Sequence, residues 1–454
     1  MKRIASLILT IACLAALLCG CGGQTSPGLT PESKGNESIS GEITAYVGDY
    51  YVYDFDSAIK AFEQAFPHVE LNLQIFQSME NEVEQVTKDL ENDTLPDLIV
   101  CMMGPNAYDL GQLATDGRLL DLGPILEQDQ GFRPDDYYTE TFSAGQFDGK
   151  QVLLPISFSL DVAYCRESVY QDSGLQLEEG YTTADVFNGI LDFCDRFDAE
   201  NAGYPYPLLS LPSVTSYVDV LQLAGVELFD PQTRTLSFPN NEVPQDLMDF
   251  CAAYYDRQVD FYTSQVIGYH PNGESAVMSY CSQNVGFSML PLWMDTMRLF
   301  SIETLMQVKG ETLRVIPIPQ YNDPTKYAAQ VEMCGGIAAN SKNPEAAYAL
   351  LRTLMDFEMK NTYGFSVRRS NNDAALQKAR DKEMQFADTL ANMLEHIGTA
   401  QLAPSAKLYV VLEERLKDLP KDVPQEALFE AVYGAIEYYL TDPPFNANMS
   451  VRYY

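Results

Sequence analysis

The spacing of apolar residues alternates between two periods over the first hundred ordered positions. In "EITAYV" Ile43 and Ala45 alternate with polar neighbours, which predicts a strand. "SAIKAFEQAF" then places Ile59, Phe62 and Phe66 three and four residues apart on one helical face, with Asp54 or Asp56 available as a cap and Pro67 as a stop. "VELNLQIF" returns to period two through Val69, Leu71, Leu73 and Ile75, a second strand. "NEVEQVTKDLEN" reads as helix, and "PDLIVCMM" as a short apolar run fit for a buried parallel strand. Strand, helix, strand, helix, strand predicts an α/β unit with parallel pairing. Further helical spacing recurs in "TADVFNGILDFCDRF", "EVPQDLMDFCAAYYDRQ" and "NPEAAYALLRTLMDFEMK". The tail from Ala374 to about Tyr439 reads as wholly helical, with a Pro-broken joint at 420–424. No fixed-period repeat is present.

Length changes the picture next. A chain of 454 residues exceeds the usual reach of one hydrophobic core, so two lobes are expected. Apolar content of 46% is ordinary, but 64 acids against 29 bases give a formal charge of −35. Such a surface is repelled by nucleic acid and by anionic lipid headgroups, which excludes both as partners through charge. High solubility is the simplest use of the acidity.

The N-terminus is of another kind. Lys2 and Arg3 precede an apolar run from Ile4 to Leu18, too short to span a bilayer comfortably but laid out as an export signal. It ends in "LLCGCGGQ", where Leu18-Cys19-Gly20-Cys21 resembles a bacterial lipobox. That resemblance implies cleavage after residue 20 and a diacylglyceryl group on Cys21, the membrane anchor. Two acyl chains hold a protein stably where one does not. Residues 21–40, rich in Gly, Ser, Thr, Pro and Glu, bury little and are expected to form a flexible stalk. Six further cysteines would remain: Cys101, Cys165, Cys194, Cys251, Cys281 and Cys334. Their wide spacing is no small-scaffold framework; outside the cell disulfides are possible, while a Cys within an apolar run can serve as a small hydrophobe.

The order of "FEQAFPHVELNL", "LPDLIVCM", "LATDGRLLDLGPIL", "FDGKQVLLPISFSLDVAYCRESVYQDSGL", "GESAVM", "MLPLWMD", "RVIPIPQ" and "CGGIAANSKNPEAAYALL" resembles family 1 extracellular solute-binding proteins, the capture components of ABC importers, often for sugars. The likeness spans nearly the whole mature chain. It departs at Tyr164-Cys165, where members commonly carry Tyr-Asn, and in having Trp293 as its single tryptophan. The resemblance implies an α/β, two-lobed periplasmic-binding-protein-like fold of type II, with lobes joined by crossing hinge strands near Phe158–Tyr164, Met333–Ile337 and Gly364–Arg369. Lobe 1 would combine 41–157 with 335–366, and lobe 2 would combine 158–334 with 367–454. A ligand touching both lobes would stabilise a closed form by its differential affinity. The implied setting is a monomer on the outer face of a Gram-positive-type cell membrane, partnered by permease subunits and using no cofactor or metal.

A sugar needs aromatic plates and forked hydrogen-bonding groups. The loop after the first strand offers Tyr46 and Tyr50 for stacking and Asp49 as acceptor, or forms a Tyr-rich cap. Met103 and Asn106 follow "PDLIVCM", where Asn106 serves as an amide contact or a turn residue. Phe158, Ser159 and Asp161 lie at the first crossing, where Asp161 is either a ligand acceptor or a structural acid. Trp293 matches a cleft-facing aromatic of sugar-binding members, against core packing as the alternative. Gly335 and Gly336 admit a close ligand or simply permit the crossing. Tyr409 falls where the family often stacks a sugar, although Leu408 can hold that place.

Enzyme motifs are absent. His68, His270 and His396 include no pair at metal-binding spacing, "GFSML" lacks the closing glycine of a nucleophile elbow, and no phosphate loop occurs. Two rival readings remain: a surface glycoside hydrolase, and a lipoprotein that senses a ligand without transport. One tryptophan argues against a long aromatic groove, so a mono- or short oligosaccharide is the expected ligand, with polyamine, polyol and peptide as alternatives.

Overall fold

The structure is a computed structural model that describes residues 38–48, 55–76, 78–102, 110–173, 175–177, 180–189, 192, 229–230, 235–236, 287–291, 303–304, 306–307, 310–357, 364–402, 408, 411–412, 414–415 and 424–441. The expected leader, Cys21 and the helix expected over 242–258 lie outside them.

The opening alternation forms as read. Strand β1 (Gly41–Gly48) leads to helix α1 (Phe55–Ala65), β2 (Val69–Phe76), α2 (Met79–Asn92) and β3 (Leu98–Met102). Strand β1 pairs in parallel with both β2 and β3, so the C-terminal ends Gly48, Phe76 and Met102 share one edge. The sheet is covered on both faces. Ile43, Ala45, Val47, Leu98 and Val100 pack with Phe55, Ile59 and Phe62 of α1 on one face. Tyr46, Ile99 and Cys101 pack with Val86 of α2 on the other. Complete burial of a side chain such as Phe62 contributes about 1.5–3 kcal/mol.

Two short helices follow, α3 (Leu110–Thr115) and α4 (Gly123–Gln128), then the short hairpin of β4 (Gln146–Phe147) and β5 (Lys150–Gln151). The chain then enters the long strand β6 (Leu154–Arg166), which α5 (Glu167–Ser173) terminates. A two-residue hairpin, β7 (Phe229–Asp230) with β8 (Thr235–Leu236), stands apart from the main sheet. Strands β9 (Phe287–Pro291), β10 (Leu313–Pro317) and β11 (Tyr327–Ile337) return to the main sheet, whose path runs β10-β6-β11-β3-β1-β2. Helix α6 (Pro344–Asp356) begins with a proline, which suits a first helical turn, and buries Ala346, Ala347, Leu350, Leu351 and Leu354 against the first core.

Strands β6 and β11 serve two cores. Leu154 and Ile156 of β6 and Met333 and Ile337 of β11 belong to the cluster under β1. Phe158, Leu160, Val162 and Tyr164, with Ala329, belong to a second cluster built with α7 (Arg369–Arg380) and α8 (Phe386–Glu395). Strand β12 (Phe365–Ser366) lies on β6 at Phe158 and Ser157, where the two cores meet.

The tail corrects one expectation. Residues 374–439 are not wholly helical: Ile397–Leu402 form strand β13, paired in parallel with β11. Helical continuation is disfavoured at Gly398, and a Cβ there would stand 2.4 Å from Gln320 Oε1. The open backbone edge of β11 decides the local structure instead. Helix α9 (Gln425–Thr441) closes the described chain.

A polar network secures the outer side of the first core. Arg352 on α6 ion-pairs with Asp356 and, at 3.5 Å, with Asp129, and lies 4.9 Å from the Tyr137 ring centroid. Tyr137 donates to Asp356, Tyr348 donates to Asp129 at 2.9 Å, and Arg368 approaches Asp356 at 3.5 Å. The network joins α6 to the segment before β4 and to the residues leading into α7.

Candidate ligand site

The candidate site is built where β11 changes partners. Met333 pairs with both Met102 of β3 and Ser157 of β6, so β3 and β6 occupy opposite edges of β11. Val331 likewise pairs with both Leu402 of β13 and Phe158 of β6. Strands β3 and β13 therefore share one edge of β11. They run in opposite directions, and their C-terminal ends meet across Glu332.

Glu332 is also the extra residue of a β-bulge. On the β6 side Val331 faces Phe158 and Met333 faces Ser157, leaving Glu332 without a ladder partner. A bulge re-aims a side chain and bends the strand that carries it. Here the carboxylate accepts the Ser159 hydroxyl at 2.7 Å. Nearby, Gln330 Nε2 donates to Asp161 Oδ2 at 3.3 Å. All four groups are buried: Ser159 0%, Asp161 2%, Glu332 7% and Gln330 9% exposed. Burial raises the Glu332 carboxyl to about 8; the Ser159 hydrogen bond opposes the shift and the Asp161 charge adds to it. A strongly perturbed carboxyl at a junction of strand ends marks a functional-site candidate.

The surrounding strand ends lead into the segments nominated from sequence. Strand β1 ends at Gly48, directly before Asp49 and Tyr50; β3 ends at Met102, directly before Met103. Strand β9 ends at Pro291, opposite Asp161 and two residues before Trp293. Strand β13 ends at Leu402, opposite Val331 and seven residues before Tyr409. Asp49, Tyr50, Met103, Asn106, Trp293 and Tyr409 themselves lie outside the described residues. Segments following strand C-termini are where open α/β sheets hold ligands.

The remaining nominated residues have definite places. Tyr46 is buried, with its ring edge against Phe76 at 5.2 Å and its hydroxyl donating to Asp89 of α2 at 2.8 Å. Burial and the Asp89 carboxylate push its phenol up to about 12. Phe158 is fully buried between Tyr138 and Phe365, at 5.5 and 5.8 Å between ring centroids. The Cβ position of Gly335 lies 2.5 Å from Leu351 Cδ1, and that of Gly336 lies 2.9 Å from Leu119 Cδ1 and Leu153 Cδ2. Both glycines thus let leucines close onto β11. Glu332 and Gln330 were not nominated from sequence. Their signal was a carboxylate and an amide inside the otherwise apolar "AAQVEMCGG".

No protein-family model matches the chain, and no curated protein matches its sequence. Solved structures do match its shape. The sugar-binding protein MalE of Xanthomonas citri superposes with a TM-score of 0.62 at 14% identity, covering 88% of this chain and 97% of that one. An extracellular solute-binding protein family 1 member from Alicyclobacillus acidocaldarius gives 0.59 at 12% identity, covering 89% and 99%. An ABC substrate-binding protein of Listeria monocytogenes in complex with cycloalternan gives 0.57 at 16% identity, covering 87% and 98%. The chain has the two-lobed periplasmic-binding-protein fold. Strands β6 and β11 are the ones that pass between the two cores. Among the described residues no cluster of three or more His, Cys, Asp or Glu is placed to hold a metal, and no helix is long and apolar enough to cross a membrane.

Proposed function

We propose that the chain is a family 1 extracellular solute-binding protein, a monomeric receptor that binds without turning its ligand over. It is moored to the outer face of the cell membrane through a diacylglyceryl group on Cys21. It captures a mono- or short oligosaccharide by hinge closure and presents it to the permease subunits of an ABC importer. The meeting of β3 and β13 at Glu332 carries this reading. A sheet interrupted along one edge while other strands continue suits a cleft between lobes, and β6 and β11 continue where β3 and β13 stop. The structural neighbours, which include a sugar-binding protein and an ABC substrate-binding protein, support the ligand class.

In this reading lobe 1 combines residues 41–157 with 335–366, and lobe 2 combines 158–334 with 367–454. Ser159, Asp161, Gln330 and Glu332 supply hydroxyl, amide and carboxyl groups for the hydroxyl edges of a sugar, and Tyr50, Trp293 and Tyr409 supply stacking faces. Asp49, Met103 and Asn106 complete the rim, while Tyr46 and Phe158 support it from behind. Acyl anchoring keeps the receptor near its permease and raises their effective concentration.

A thermal-shift panel of sugars, polyols, polyamines and peptides tests the reading, because a ligand of the folded state raises the melting midpoint by mass action. A short saccharide is expected to raise it, and W293A to lose the shift. A polyamine response with silent sugars overturns the ligand class. Turnover of a glycan instead of stoichiometric binding favours the hydrolase.

A further inference from the structure

Cys101 and Cys334 sit directly opposite each other on β3 and β11. The ladder around them is regular: Met333 faces Met102 on one side, and Gly335 faces Val100 on the other. Opposed residues of an antiparallel pair point to the same face, with Cα atoms about 4.5–5.5 Å apart. A disulfide accepts Cα separations of about 4.4–6.8 Å. Both cysteines belong to one apolar cluster, and both are fully buried. Cys165, the third described cysteine, faces Arg314 and Phe287 across its two ladders and has no cysteine opposite it.

We propose that Cys101 and Cys334 form a cross-strand disulfide, a modification site that fastens β11 to β3 at the foot of the crossing. The oxidant is a low-molecular-weight disulfide such as oxidised glutathione. The first cysteine thiolate attacks it, forming a mixed disulfide and releasing one glutathione thiolate. The second cysteine then attacks the mixed disulfide, forming the protein S–S bond and releasing the other. The two cysteine protons end on the two released thiols. Burial raises the Cys334 thiol to about 12, so little nucleophilic thiolate exists in the folded state. Exchange therefore proceeds while the strands are apart, as the chain folds.

The link would stand two residues beyond the Glu332 bulge, fixing β11 on the lobe 1 side and leaving Gln330–Glu332 to bend. Its use in the cell rests on the extracellular location proposed above, since disulfides persist in oxidising surroundings. The chemistry itself does not depend on that location.

The test refolds the full-length chain from reducing denaturant into oxidised glutathione. Free thiols are trapped with an alkylating reagent, and the protein is digested and mapped by mass spectrometry. The expected product is a Cys101–Cys334 linked peptide pair, lighter by two hydrogens than the two free peptides together. It should be lost in C101S and retained in C165S. Alkylation of both Cys101 and Cys334 in the oxidised, refolded wild-type chain overturns the proposal, as does a link from either to another cysteine. A saccharide thermal shift in the reduced protein reports on the receptor reading independently, so failure of one leaves the other standing.

Discussion

Glu332 accepts the Ser159 hydroxyl at 2.7 Å, joining the bulge of β11 to the crossing segment of β6. The two strands carry the chain from one core to the other. The contact therefore sits at the pivot that hinge closure would use, with its carboxyl held toward the neutral form by burial.

That displacement predicts a pH dependence of stability. The folded carboxyl, at about 8 against an ordinary 4.5, holds its proton where the unfolded chain has released it. The stabilisation from this group is full below the ordinary value and is lost as pH rises through about 8. Each unit of displacement corresponds to about 1.4 kcal/mol. Denaturant unfolding from pH 5 to 8 should show E332Q losing less stability than wild type with rising pH. Parallel profiles would remove Glu332 as the source.

Binding should depend on the same junction. S159A and D161N each delete one hydrogen-bonding group of the site. Each is expected to weaken saccharide affinity about tenfold or more by calorimetry, consistent with about 1–3 kcal/mol for a buried polar group deprived of its partner. Unchanged affinity in both, with the fold intact by circular dichroism, would move the ligand away from the crossing strands.

Gly364 is held by its backbone. Its φ is +87°, and a Cβ there would lie 2.3 Å from the Phe158 carbonyl oxygen. G364A should therefore destabilise by about 2 kcal/mol or more, the combined effect of left-handed geometry and a shifted backbone. An unchanged denaturation midpoint would contradict this packing of the segment before β12.

Arg352 offers a separate stability test. Its side chain is 13% exposed and Asp356 is 7% exposed, so removing the cation leaves acid in poorly solvated surroundings. R352M should cost about 3 kcal/mol in denaturant unfolding. A loss below about 1 kcal/mol would mean that Arg368 alone neutralises Asp356.

The fold was largely legible because its early elements are local. Period-two runs at Ile43–Ala45 and Val69–Ile75 and the helical face of Ile59, Phe62 and Phe66 each commit their segment without help from distant residues. Strand β13 was not legible: "IGTAQL" has no strong period, and its extended form depends on an edge of β11 some seventy residues earlier. Glu332 escaped for a related reason. Its role comes from a bulge and from two strand ends meeting, which are properties of register and not of spacing. Ser159 and Asp161 were nominated because their segment resembled a family hinge; nothing in their own spacing named Glu332 as the partner of Ser159.

The central claim is that two lobes close around a captured solute. Small-angle X-ray scattering of the chain, recorded with and without a saturating saccharide identified by thermal shift, tests it most directly. The account predicts a smaller radius of gyration at unchanged molecular mass when the ligand is bound. An identical scattering profile at demonstrated saturation would contradict it.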